Sequence, residues 1–175
     1  MRLFFALWPP LEIAEPLAAI ARSVAKQFGG VPMRQETIHL TLAFLGEVED
    51  ARLDLLMQTT SAVRANPFTL HLDRLGYWKH NRLLWAGCSS SPEGLLHLAS
   101  DLRQSLAAQG LYVEDAKKDF IPHVTLIRKT PEVAIQKPPE FDRVCWPCSR
   151  FVLVRSLLSS AGPSYEIASE FSFSP

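Results

Sequence analysis

Ile38-His39-Leu40-Thr41-Leu42 and Pro122-His123-Val124-Thr125-Leu126 are the two stretches on which the reading of this chain turns. They lie 123 − 39 = 84 positions apart, close to half of the 175 residues. Side chains alternate along a strand with a period of two, so on a strand His39 and Thr41 share one face, as do His123 and Thr125. Leu40 and Leu42, or Val124 and Leu126, then point the other way into apolar packing. Each copy anchors itself by its back and presents an imidazole and a hydroxyl on its front. A repeat of this kind, each copy following an expected helix, predicts two related lobes that face each other.

Working outward, Leu3 to Trp8 reads as a buried strand. Leu11 to Phe28 carries apolar residues at helical spacing (Leu11, Ile13, Leu17, Ile20, Val24) and ends at Gly29-Gly30. Thr37 to Leu45 is strand-like, and Asp50 stands where an N-cap would, ahead of a helical run through Leu53, Leu56, Met57 and Val63. Phe68 to Leu72 alternates as a half-buried strand does, and Arg82 to Cys88 is expected to pair with it as a hairpin. Pro92 opens a helix through Leu95, Leu98, Leu102 and Leu106 that stops at Gly110. Pro122 to Ile127 is a further strand, and Thr130 to Pro139 a proline-containing loop. Phe151 to Ser159 and Tyr165 to Phe173 form a last hairpin, turning at Ala161-Gly162-Pro163-Ser164. Helices and strands mix without a strict βαβ rhythm, so the fold class is α+β, in one domain over residues 1–175.

Composition bounds the function. Apolar residues make up 47% of the chain and charged residues 21%, enough to bury a core without disulfides. Lys and Arg balance Asp and Glu at 18 each, which argues against coating long nucleic acid by bulk charge but leaves room for a nucleotide or RNA end in a local basic cleft. No apolar run is long enough to span a bilayer, and the opening Met1 to Trp8 is cut short by Pro9-Pro10, so the expectation is a cytoplasmic protein without membrane contact. Cys145-Trp146-Pro147-Cys148 is a C-x-x-C, yet a strand-like run follows it and no second cysteine pair exists to complete a zinc site. It reads as a loop carrying two buried or half-buried thiols.

Two histidines and two hydroxyls converging on one cleft match the needs of phosphodiester hydrolysis. One imidazole takes a proton from water while the other gives one to the leaving oxygen, a task suited to a side chain titrating at about 6.5. Threonine hydroxyls donate to phosphate oxygens where charge accumulates. Nothing in the scheme requires a metal or another cofactor. His71, His80 and His97 fall outside the pattern.

On these residues the chain resembles the two-histidine (2H) phosphoesterases of the LigT-like RNA 2′,3′-cyclic phosphodiesterase type. The resemblance is carried by Arg2 to Leu7, by Ile38 to Gly46 and by Pro122 to Arg128, and it covers nearly the whole chain. It implies two pseudo-symmetric αβ lobes with antiparallel sheets around a central cleft, one motif per lobe. It also implies a monomer that opens the terminal 2′,3′-cyclic phosphate of RNA ends or nucleosides to a 2′-phosphate, and a reversible 2′–5′ RNA ligase activity. By the same resemblance His39 is the proton donor to O3′ and His123 the proton acceptor that activates water, while Thr41, Thr125 and Arg128 hold the phosphate. The residues alone do not order the two histidines. The first copy has Ala43-Phe44 where the second has Ile127-Arg128, so only one copy offers this arginine. Phe4, Phe44, Tyr77 and Trp78 are the candidates for stacking on a base, with core packing the better reading of each.

Two other classes compete. A metal-dependent hydrolase would use His39, His123 and one of His71 or Asp73, but no H-x-x-x-H or D-x-D cluster supports it. A module that captures RNA ends without cleaving them would be better served by permanent cations than by two histidines.

Overall fold

The computed structural model describes residues 1–111, 113–114, 119–131, 140–159 and 162–174. Ten strands and three α-helices follow one another as β1 (Arg2–Leu7), α1 (Leu11–Phe28), β2 (Val31–Pro32), β3 (Leu40–Glu47), α2 (Leu53–Ser61), β4 (Phe68–Leu72), β5 (Arg74–Trp78), β6 (Leu83–Gly87), α3 (Glu93–Ala108), β7 (Val124–Arg128), β8 (Val144–Cys148), β9 (Arg150–Ser159) and β10 (Gly162–Ser172). Seven strands run side by side in the order β10-β9-β1-β3-β7-β6-β5, with β2 also on β7, and β4 pairs with β8 in a separate ribbon. Every recorded pairing is antiparallel, so the α+β expectation holds.

The main core lies under one face of this sheet. On β1, Leu3, Phe5 and Leu7 point into it, each at most 1% exposed, while Phe4 and Ala6 belong to a smaller apolar cluster on the opposite face with Val152 and Val154. Helix α1 buries Ile13, Leu17, Ala21 and Val24, and α3 buries Leu95, Leu98, Leu102 and Leu106. The α3 stripe is the one the sequence displays; in α1 Ile13, Leu17 and Val24 are buried as expected, but Leu11 is exposed and Ile20 half-buried, because the buried face is completed by alanines. Helix α1 packs against β7 and α3 against β3, so each motif-bearing strand is backed by the helix that precedes the other motif. Among the described residues the opposite face, with Phe4, Thr41, Phe44, Thr125 and Arg128, faces the cleft.

Several expectations are corrected. Strand β3 begins at Leu40 and β7 at Val124, so each histidine stands one residue ahead of its strand; Gln35–Thr37 form a 3-10 turn where the strand was expected to begin. The partner of β6 is β5, and β4 pairs with β8. The stretch from Gly76 to Asn81, expected as the connection of a β4–β6 hairpin, instead begins within β5: Gly76 sits mid-strand opposite Trp85, and a Cβ there would clash with the indole. The glycine makes room for a cross-strand tryptophan. Cys145 to Cys148 is strand, with Cys145 exposed and Cys148 buried, because β4 offers Leu70 as a buried partner for Trp146. Asp50 opens a 3-10 turn with no side-chain cap bond, and α2 stops at Ser61, short of Val63. The last hairpin pairs as expected, but β10 begins at Gly162, so Gly162, Pro163 and Ser164, expected in the turn, are strand residues paired with Ser159, Leu158 and Leu157. Of its turn Ala161, and of the 130–139 loop residues 132–139, lie outside the described residues.

Candidate active site

Equivalent atoms of the two motifs make equivalent bonds. His39 Nδ1–H donates to the Thr37 carbonyl at 2.8 Å, and His123 Nδ1–H donates to the Ile121 carbonyl at 2.8 Å. A carbonyl only accepts, so both imidazoles carry their proton on Nδ1 when neutral and keep Nε2 as a free acceptor. Both sit half-buried.

The strands then do the same thing twice. Ala6 pairs with Thr41 and Phe5 with Ala43, leaving Leu42 as an extra residue in β3; Trp85 pairs with Thr125 and Leu84 with Ile127, leaving Leu126 extra in β7. Each bulge frees a carbonyl that an off-ladder donor satisfies: Arg103 Nε donates to Leu42 O at 2.8 Å, and Met33 N to Leu126 O at 2.7 Å. A bulge also resets the alternation of faces. Thr41 and Phe44, three apart, therefore share a face, and so do Thr125 and Arg128. Leu40, Leu42, Val124 and Leu126 are all buried to 1% exposure or less, as the apolar backs require.

His39, Thr41, Thr125 and Arg128 line one cavity of about 340 Å³, together with Arg2, Phe4, Phe44 and Tyr165. His123 lines an adjoining cavity of about 650 Å³ that shares Thr41 and Phe44 with the first. All five residues singled out in the sequence are thus gathered on one surface. The single β3–β7 bridge is Leu40 to Val124. Continuing that antiparallel register by one residue sets His39 beside Thr125 and His123 beside Thr41, which agrees with how the cavities are lined.

Both imidazoles are held below the usual histidine range. His39 is lowered to about 4, first by burial, with Arg128 and His123 adding like charge against the Thr37 bond that opposes the shift. His123 is lowered by burial, opposed by its Ile121 bond. The aromatic surroundings explain the burial. His39 has Phe4 at 5.0 Å, Tyr165 at 5.3 Å and a parallel Trp8 at 5.4 Å; His123 has Trp78 at 4.4 Å.

Of the aromatics proposed for stacking, Phe4 and Phe44 line the His39 cavity and Trp78 the His123 cavity. Tyr77 lines neither; its hydroxyl donates to Thr130 O at 3.3 Å. Sequence reasoning missed Arg2, Trp8 and Tyr165. Arg2 was readable, since alternation places it with Phe4 on the face opposite Leu3 and Phe5; its guanidinium lies 5.0 Å from the Phe44 ring. Tyr165 was not, because it reaches the site through its pairing with Ser156 in the β9–β10 hairpin. His71 and Asp73 line neither cavity: His71 Nδ1 is 3.4 Å from Cys145 Sγ, and Asp73 accepts from Ser89 N and Oγ at 2.7 Å each. Among the described residues no group of three or more His, Cys, Asp and Glu is placed to hold a metal. No helix among them is long and apolar enough to cross a membrane.

Comparison with known proteins gives the same direction. The model of the family described as LigT like Phosphoesterase matches residues 7–85. The chain is 37% identical over 141 residues to the RNA 2′,3′-cyclic phosphodiesterase of Escherichia coli (strain K12), covering 81% of this chain and 79% of that protein. It is 33% identical over 180 residues to the RNA 2′,3′-cyclic phosphodiesterase of Thermus thermophilus, covering 98% and 90%. The crystal structure of E. coli LigT in apo form superposes with a TM-score of 0.87 at 34% identity over 99% of this chain and 98% of that one.

Proposed function

This chain belongs to the LigT-like phosphoesterase family, and we propose that it hydrolyses the terminal 2′,3′-cyclic phosphate of RNA ends or nucleosides to a 2′-phosphate, by acid–base chemistry between two histidines. The observation that carries this reading is the pair of imidazoles pinned through Nδ1, each with Nε2 free, beside a cavity floored by two threonines and edged by two arginines. Each Nε2 accepts a proton when neutral and donates one when charged, so the pair supplies both halves of the reaction.

In this scheme the cyclic phosphate lies between the histidines. His123 takes the proton of the attacking water and His39 gives a proton to O3′ as the P–O3′ bond breaks. Thr41 and Thr125 donate to the non-bridging oxygens, and Arg128 offsets the charge that builds on them. The lowered basicity leaves both imidazoles neutral at pH 7 in the free site, where Arg2 and Arg128 carry the positive charge. The phosphate brings the counter-charge that the cavity lacks, so His39 acquires its proton as substrate binds. With a 5′-hydroxyl in place of water the same steps form a 2′–5′ linkage as the P–O3′ bond breaks, and attack of that 3′-hydroxyl on the 2′–5′ diester reverses the ligation. The working unit in this reading is a monomer of one bilobal domain, one motif in each lobe, acting in the cytoplasm without a metal or other cofactor.

Product mapping on a short RNA with a 2′,3′-cyclic end tests the reading. A 2′-phosphate is expected. A 3′-phosphate overturns the assignment of the leaving oxygen, and activity lost to EDTA and restored by a divalent ion overturns metal independence.

A further inference from the structure

The two motifs match so closely, in residues, tautomer-setting bonds and bulges, that nothing within them distinguishes donor from acceptor. The distinction must come from what surrounds them. We infer that Trp8 is a positioning residue that makes His39, and not His123, the proton donor of the pair; this rests on the acid–base reading proposed above.

The indole of Trp8 lies over the His39 ring with an interplanar angle of 2° at 5.4 Å. His123 has no such neighbour among the described residues: Trp78 meets it at 73° and Trp85 at 66°. The face of an aromatic ring is electron-rich, so a parallel indole favours an imidazolium over the neutral ring, most strongly where water is excluded. His39 is partly shielded from water, with Phe4 and Tyr165 packed against its other sides at 5.0 and 5.3 Å.

The charged and titratable groups facing His39 are Arg2 from β1, Arg128 from β7, His123 and the Tyr165 phenol from β10, and no carboxylate is among the described residues that line its cavity. The empty site therefore repels a proton on His39. Once phosphate supplies the anion, the imidazolium is held between that anion and the Trp8 face, an arrangement His123 does not share. Trp8 is not among the residues that line the cavity, so its influence runs through the His39 ring stacked on it. Pro9 and Pro10 follow it directly, which confines its backbone to the extended region and fixes where the indole starts.

The test is a histidine NMR titration of the whole protein saturated with inorganic phosphate, for the wild type, Trp8→Leu and Trp8→Phe. The expected wild-type result is His39 titrating above His123. Trp8→Leu, which keeps the apolar cover and removes the π face, is expected to lower the His39 midpoint by about one unit, and Trp8→Phe to restore most of it. In turnover of a nucleoside 2′,3′-cyclic phosphate, the alkaline limb of the kcat profile moves down in Trp8→Leu by a similar amount while the acidic limb stays. His123 titrating above His39 in the wild-type phosphate complex overturns the inference, and that measurement needs no variant to fold. An unmoved His39 midpoint in Trp8→Leu overturns it as well. Absence of turnover by the wild type overturns instead the acid–base reading, and the donor role falls with it.

Discussion

Leu40 and Val124, equivalent residues 84 positions apart, are each other's cross-strand partners. The pseudo-symmetry of the two motifs thus passes through the one rung that joins β3 to β7. The histidines immediately precede the two residues of that rung, each at the entry to its own strand. Each imidazole is thereby brought next to the threonine of the other copy.

The first prediction concerns the histidines. His39→Ala and His123→Ala are each expected to lower kcat on a 2′,3′-cyclic nucleotide by about 10²-fold or more, while the fold is kept. Near-normal turnover in both variants, with unchanged circular dichroism, would sink the acid–base reading.

The threonines should act across the rung. Thr125→Val removes a donor to a charged oxygen and is expected to lower kcat/KM by about 10- to 100-fold. Because Thr125 adjoins His39, combining the two substitutions should cost less than the product of the separate losses. Multiplicative losses in that double-mutant cycle would contradict the cross-motif pairing.

Arg128 touches two properties at once. Its charge helps to lower His39, so Arg128→Gln is expected to raise the His39 midpoint in the free protein and to weaken phosphate binding by about tenfold. An NMR titration followed by a phosphate binding curve reads both, and movement in opposite senses is the signature.

Stability should depend on pH through His39. The unfolded chain protonates this imidazole near 6.5, whereas the folded protein resists protonation until about 4. Above pH 6.5 both states are neutral and stability is level. Below it the unfolded state binds the extra proton, so stability falls as pH drops, by about 2 kcal/mol between pH 7 and pH 5. Urea midpoints across that range should show the slope, and His39→Leu should flatten it.

Gly30 tests how the end of β7 is held. Its φ is +94°, and a Cβ there would meet Ile127 Cγ2 at 2.6 Å and Arg128 O at 2.9 Å. Gly30→Ala is expected to cost about 1–3 kcal/mol of stability and to displace Arg128, raising KM. A thermal melt and a KM measurement together would show whether strain and site are linked.

Phe44 and Arg128 show where the sequence stops being informative. They occupy equivalent places after the two motifs, and simple alternation puts both on the wrong face. Only the bulges at Leu42 and Leu126 turn them into the cavity, and a bulge is a property of two paired strands that neither strand carries alone. The same holds for β4, expected to pair with β6, and for β5, where no strand was expected, because pairing is decided by burial across the sheet: Leu70 beside Trp146, and Gly76 beneath Trp85. The helices α1 and α3 were legible because their apolar stripes are local, repeating every three to four residues.

The sequence by itself determined the repeated His-x-Thr, its apolar backing and therefore the pair of imidazoles proposed as acid and base, since the pattern follows from residue identity and a period of two. What only the tertiary structure decided is how the copies differ. His39 is enclosed by Trp8, Phe4 and Tyr165, and His123 meets Trp78. Phe4 on β1 meets Tyr165 on β10 because β9, the hairpin partner of β10, pairs with β1 from the far end of the chain. The basicity of an imidazole depends on the water, charge and ring faces around it, and it is the packed sheet that brings these to each histidine.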